Sequence, residues 1–256
     1  MAATTVATAA TVATDAKRIA LVTGANKGIG KETVKQLAQL GYTVYLGSRD
    51  KQRGLDAQEE LRATSTTTDV RWLSLDVTDE ESIHNAAKTI EQEVGRLDVL
   101  VNNAGISIEK LAPSKATVSM MRKTFESNVF GPVALTQALL PLLRASRHRA
   151  IVNVSSELGS LTLQGYPDFR YGGTNMMAYM SSKTALNAFT VLLAKELKDE
   201  GFRINSINPG FTATDLNAFR GTGSVSDAAA VVVKYATLDR DGPTGGFFML
   251  NGQVPW

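Results

Sequence analysis

Cysteine is absent from this chain of 256 residues. That excludes disulfides, thiolate nucleophiles and cysteine-ligated zinc or iron–sulfur centres. Histidine is nearly absent too: His84 and His148 are the only two, and neither has a second histidine at ligand spacing. Both read as exposed helix or loop residues, which disfavours a Ser-His-Asp hydrolase; no metal site is expected. No apolar run reaches the length of a membrane-spanning helix. An excess of charge is missing as well, since 27 Lys and Arg against 25 Asp and Glu leave a net +2. Such a balance gives no long-range pull toward nucleic acid or an anionic membrane. Residues 1–16, MAATTVATAATVATDA, have neither the basic start of a secretory signal nor the arginines of a transit peptide. They are expected to form a disordered tail on a cytosolic protein, followed by a single domain over 17–256.

What is present is alternation. β-branched runs at "RIALVTG", "YTVYLGS", "VRWLSLD", "LDVLVNN", "AIVNVSS", "FRINSIN" and "GGFFML" read as strands. Between them lie amphipathic stretches, among them "KETVKQLAQL", stopped by Gly41, and "DEESIHNAAKTIEQEVG", which opens on acids and closes on Gly95. One long helix is expected from about Ser114 to Leu143, bent near Pro132, and another from about Met176 to Asp199. Apolar strands joined by helical crossovers predict an α/β fold: a single Rossmann-type, doubly wound domain whose seven-stranded parallel sheet carries helices on both faces.

The turn after the first strand reads "TGANKGIG". Gly24, Gly28 and Gly30 there allow a tight turn and close approach of backbone to a pyrophosphate, and the helix start favours the anion. The G-x-x-x-G-x-G spacing departs from the commoner G-x-G-x-x-G. An acid at the end of the second strand would bind the ribose 2′-hydroxyl of NAD. Here that strand ends on Ser48, then Arg49, with Asp50 one further. A 2′-phosphate attracts a guanidinium fork and repels an acid, so Arg49, with Lys27 in the loop and Arg53 four residues on, favours NADP(H). Asp50 is the competing residue: facing the ribose, it would favour NAD.

"TGANKGIG", "NNAG" at 102–105, Tyr179-x-x-x-Lys183 and "NPG" at 208–210 occur in that order on the expected elements. Together they resemble the short-chain dehydrogenase/reductases over about residues 17–256. "SRDKQRG" and the closing "GPTGGFF…PW" look most like the NADPH-dependent carbonyl reductases within that family. The resemblance implies that Asn26 and Ile29 join the loop glycines and Lys27 at the cofactor, and that Asp76 and Val77 sit at the adenine. It implies that Asn103, Ala104 and Gly105 line the adenosine side, and that Pro209, Gly210, Thr212 and Thr214 flank the nicotinamide end. Asn128, Ser156, Tyr179 and Lys183 match the family's catalytic four, Tyr179 and Lys183 also touching cofactor. Asn128 would hold a water chain to Lys183.

Physical chemistry gives the pair "YMSSK" a role. A phenol with pKa about 10 shuttles protons slowly near neutrality, and an ammonium at i+4 on one helix face favours phenolate. Tyr179 is then the acid for reduction and the base for oxidation. Ser156 would hydrogen-bond the substrate oxygen. The expected activity is NADPH-dependent reduction of a ketone or aldehyde carbonyl, with reversible alcohol oxidation. An NAD-dependent alcohol dehydrogenase and a non-catalytic dinucleotide sensor are the alternatives. The partner is a small-molecule carbonyl or alcohol.

Two stretches depart from the family pattern. From Ser156 to Tyr179 is 23 residues, where many members have about 13. The added part, "LQGYPDFRYGGTNM", reads equally as a lid or as an alternative loop. In carbonyl-reductase relatives a longer insertion here obstructs the dimer helices, so dimer, tetramer and monomer all stay open. After "NPG", the short span to Ser226 with flexible "RGTGS" leaves little material for a lid and predicts an open pocket.

Overall fold

The computed structural model describes residues 17–64, 69–108 and 110–256; the tail expected at 1–16 lies outside them. Strands β1 (Ile19–Thr23), β2 (Thr43–Ser48), β3 (Asp69–Ser74), β4 (Val99–Asn102), β5 (Ala150–Val154), β6 (Arg203–Ile207), β7 (Phe247–Met249) and β8 (Gly252–Gln253) form one sheet ordered 3-2-1-4-5-6-7-8. Helices α1 (Gly28–Gln39), α2 (Lys51–Ala63), α3 (Glu80–Val94), α4 (Val118–Phe125), α5 (Gly131–Arg144), α6 (Leu161–Gln164), α7 (Met177–Glu196) and α8 (Val225–Ala236) join the strands.

Alternation along β1 shows how the sheet is covered. Ala20 and Val22 pack with Val34 and Leu37 of α1 and Val232 of α8. Ile19 and Leu21 face the opposite way, toward Ile83 and Ile90 of α3 and Leu135 and Leu139 of α5. Every residue of β1, β2, β4, β5 and β6 is buried, as a parallel sheet covered on both faces requires. Each fully buried Leu or Ile here contributes roughly 1.5–3 kcal/mol relative to exposure.

Two expectations need correction. Among the described residues the sheet has eight strands rather than seven, because β8 folds back antiparallel on β7. A two-residue strand beginning with glycine carries no alternation to read. The helix expected from Ser114 to Leu143 is also divided. Pro113–Lys115 is a 3₁₀ turn, and the Thr117 side chain accepts from the Met120 N–H to start α4. A π-helical turn over Glu126–Phe130 then separates α4 from α5. Pro132, without an N–H, stands just after it and cannot extend a regular ladder. The interruption falls just before Pro132, and Asn128 within the wide turn is fully buried.

The chain reverses direction of winding between β1 and β4. In open α/β sheets the crevice outside the strand carboxyl ends at such a point is the ligand-binding place. The loops after β1, β4, β5 and β6 converge there.

Candidate active site

β1 ends on Thr23, whose hydroxyl ties two of these loops together. Its oxygen accepts from the N–H groups of Asn103 (3.0 Å) and Ala104 (2.9 Å), just after β4. Asn103 Nδ2 returns hydrogen bonds to the carbonyls of Thr23 (2.8 Å) and Gly24 (3.2 Å). A Cβ on Gly30 would lie 2.5 Å from Asn103 Nδ2 and 2.7 Å from the Gly24 carbonyl, so only glycine fits beneath this junction. Lys27 occupies the cap of α1 without a side-chain hydrogen bond to the first turn, leaving its N–H groups for a phosphate. A cleft of about 450 Å³ runs from this loop to α7. A glycine cradle, an uncapped helix start and a lining arginine together fit a phosphorylated dinucleotide.

Every expected cofactor contact lines this cleft except Arg53, Gly210 and Thr212. Thr212 is buried, with its hydroxyl donated to the Pro209 and Gly210 carbonyls. Arg53 lies beside Asp50, which is itself committed elsewhere: one carboxylate oxygen accepts from the Arg53 N–H at 3.0 Å and caps α2. Asp50 is therefore a helix cap. Ser48 is buried and bonded between the Asp50 carbonyl and Trp72 Nε1, each at 3.1 Å, whereas Arg49 is exposed on the cleft wall. Asp76 is held by the N–H and hydroxyl of Thr78.

The cleft has further walls that the sequence reading did not assign to cofactor, among them Leu75, Ile106, Ser127, Ser155, Asp215 and Leu216. Asp215 pairs with Lys27 at 3.0 Å across the opening. Partners 188 positions apart leave no periodic trace in a sequence. After "NPG", Thr222 and Gly223 donate back to the Phe211 carbonyl and close the stretch into a compact loop.

At the other end of the cleft, α7 presents Tyr179 and Lys183 on one buried face. The Ser156 side chain hydrogen-bonds Tyr179. Ser155 turns the other way, donating to Asn187 Oδ1 at 2.6 Å, which separates the two adjacent serines. Lys183 Nζ donates to the Val154 carbonyl at 2.8 Å and sits 5.6 Å from the Tyr179 ring centroid. Asn128 staples the β4 loop to α7. Its Oδ1 accepts from the Ile106 N–H (2.8 Å), and its Nδ2 donates to the Ile106 carbonyl and to Ser182 Oγ (each 3.0 Å). Among these bonds none reaches Lys183 directly. Asn128 is fully buried behind the cleft surface, whereas Ser156 is half-buried at the cleft's end, next to lining residues Ser155 and Tyr179.

Electrostatically the pair departs from the expectation of an acidified phenol. Burial pushes Tyr179 up to about 12, and the Ser156 hydrogen bond pulls it down by less. Burial also pushes Lys183 down to about 8. Desolvation acts against both charged forms and outweighs the attraction between them, because the ammonium bonds a carbonyl instead of the phenol oxygen. The protein alone holds a neutral phenol, ready to donate.

Close packing fixes this geometry. A Cβ on Gly159, just past Ser156, would meet Lys183 Cβ at 2.7 Å and the Thr184 nitrogen at 2.9 Å. Backbone atoms of α7 cannot retreat as a side chain would. Gly159→Ala is expected to lower stability by about 1–3 kcal/mol in urea unfolding; an unchanged midpoint would show that α7 tolerates displacement.

Comparison with known proteins agrees with this architecture. Residues 18–223 match the family model described as short chain dehydrogenase, and the chain belongs to the short-chain dehydrogenase/reductase family. It is 36% identical to (-)-isopiperitenone reductase of Mentha piperita, over 91% of this chain and 96% of that protein. It is 35% identical to (+)-neomenthol dehydrogenase of Arabidopsis thaliana, over 95% and 99%. Among solved structures, the NADPH-bound carbonyl reductase from chicken fatty liver superposes with a TM-score of 0.81 at 28% identity, over 94% of this chain and 99% of that one. Among the described residues no helix is long and apolar enough to cross a membrane, and no cluster of acids and histidines suited to a metal occurs.

Proposed function

We propose that this protein is an NADPH-dependent reductase of ketone or aldehyde carbonyls, reversible toward alcohol oxidation, with Tyr179 as the acid and base. The observation that carries the proposal is the buried Tyr179 phenol, hydrogen-bonded to Ser156 and flanked by Lys183, at the end of a cleft that begins in the glycine turn. The similarity to a named carbonyl reductase and to a named reductase supports the same activity.

Bound NADPH supplies the hydride. Gly24, Gly28, Gly30 and the start of α1 would hold its pyrophosphate, and Arg49 its 2′-phosphate. Commitment of Asp50 to the α2 cap favours NADPH over NADH, because no carboxylate there is free for a ribose hydroxyl. Ser156 hydrogen-bonds the substrate oxygen and stabilises its developing charge. Tyr179 donates its proton to that oxygen. Lys183, when protonated, lies 5.6 Å from the Tyr179 ring centroid and stabilises the phenolate left behind through the low dielectric of a dry site. Asn128 keeps the β4 loop against α7 so that these groups stay in register. A small carbonyl compound as substrate and a cytosolic location complete the proposal.

Consumption of NADPH, followed by absorbance over a panel of ketones and aldehydes, tests it; no turnover on any member despite NADPH binding would overturn it. The same assay reads the pH dependence. Tyr179 stays protonated to about pH 12, so the phenol is competent across the working range. Lys183 loses its proton as pH rises through about 8. Reduction kcat/KM is therefore expected to be flat below that pH and to fall above it. Lys183→Met should remove this limb along with most of the rate. A limb that survives in Lys183→Met belongs to another group.

A further inference from the structure

Glu157, next to Ser156, is a carboxylate only 6% exposed. A buried carboxylate is costly unless paired and hydrogen-bonded. Its partner is Arg170, in the middle of the stretch that lengthens the Ser156–Tyr179 interval. Arg170 grips it in two places, with Nη2 at 2.6 and 2.7 Å from the two oxygens and Nε at 3.2 Å. Asn208 Nδ2 donates to the same carboxylate at 3.1 Å, and Asn208 Oδ1 accepts from the Gly210 N–H. One side chain thus joins three segments: the loop after β5, the added stretch, and the loop after β6.

The residues on either side of Arg170 are aromatic. Phe169 and Tyr171 meet edge to face at 5.7 Å, and Tyr171 meets Phe211 at 6.1 Å. The Arg170 guanidinium lies 4.9 Å from the Tyr171 ring. Phe211 is two residues past Pro209, which lines the cleft, and Arg170 is bound to the residue after Ser156, so this aromatic edge adjoins the cleft next to its lining. The base of the added stretch is fixed separately. Ser160 Oγ donates to the Pro255 carbonyl, the Thr162 N–H to the Trp256 carbonyl, and Gln164 Nε2 to the Leu158 carbonyl. Among the described residues, the backbone hydrogen bonds from Gly165 to Thr174 are local turns, and Arg170 together with the Tyr171–Phe211 contact ties the tip to other segments.

We propose that Arg170, through Glu157, is a positioning residue that holds Phe169, Tyr171 and Phe211 as an aromatic wall for carbonyl substrates with large apolar bodies. The inference rests on the reductase function proposed above. Exposed Ile108 and Leu216 add apolar surface to the cleft wall itself. A small ketone reaches Ser156 and Tyr179 without touching the wall; a bulky one needs it.

The test compares cyclohexanone with 2-decalone as substrates of the NADPH-loaded enzyme. In Arg170→Ala, KM for 2-decalone is expected to rise about tenfold with kcat within about twofold, whereas kcat/KM for cyclohexanone changes less than about threefold. Arg170→Lys keeps the charge but loses the fork, and should fall between wild type and Arg170→Ala. Tyr171→Ala leaves the Glu157 junction whole and should reproduce the KM pattern, which keeps the proposal testable if Arg170→Ala does not fold. Equal losses on both ketones, or no change in either, would overturn the wall while leaving the reductase function standing. Wild-type protein that binds NADPH by fluorescence titration but reduces neither ketone, nor any other carbonyl in the panel, would overturn both.

Discussion

Tyr179→Phe is expected to lower kcat/KM for carbonyl reduction by about 10³-fold while leaving the Kd for NADPH within about threefold, as loss of a positioned general acid should. The substitution removes one oxygen and keeps the ring. That ring is buried on α7 beside Lys183, so packing is retained and the loss can be ascribed to the proton. Ser156 keeps a second bond, accepting from the Leu158 N–H at 3.2 Å, and stays in place to bind a carbonyl oxygen. Steady-state kinetics on one ketone, with cofactor affinity measured separately by fluorescence, checks both halves. Turnover within tenfold of wild type would remove Tyr179 from the proton transfer.

The second large effect is on cofactor choice. Arg49→Ala is expected to reduce kcat/KM with NADPH by about 10–100-fold and to leave the value with NADH nearly unchanged, because charge-assisted hydrogen bonds to a phosphate contribute about 1.5–3 kcal/mol. Arg49 lines the cleft. Arg53, expected to assist it, lies outside the lining and pairs with Asp50, so Arg53→Ala should have a much smaller effect than Arg49→Ala. A loss shared equally by both nucleotides would mean that Arg49 holds the loop and does not read the 2′-phosphate.

The strand and helix alternation was legible because it is local. β-branched runs, capping acids and terminal glycines act within a few residues, and the helices from α1 to α3 and at α7 fall close to where those signals place them. The glycine turn and the Tyr179–Lys183 spacing are local in the same sense. What sequence could not show depends on partners far along the chain. The capping role of Asp50 became clear only with its carboxylate placed on the Arg53 N–H. The direction of the Tyr179 shift depends on burial by surrounding segments, and spacing to Lys183 alone suggested the opposite sign. Glu157 carries no local signal of its role, because Arg170 and Asn208 reach it from two other loops.

The wide helical turn at Glu126–Phe130 carries one consequence for how this region tolerates change in length. It holds more residues per revolution than the helices on either side. Trimming a single residue there would tighten it to ordinary pitch, leaving the flanking helices close to their present phase but drawing the bulged segment back into the helix wall. Asn128 would then swing off Ile106, and the strand-end loop it anchors would lose its hold on the helix bearing the phenol. Deletions in this short stretch should therefore be far less tolerated than point substitutions on its outer surface.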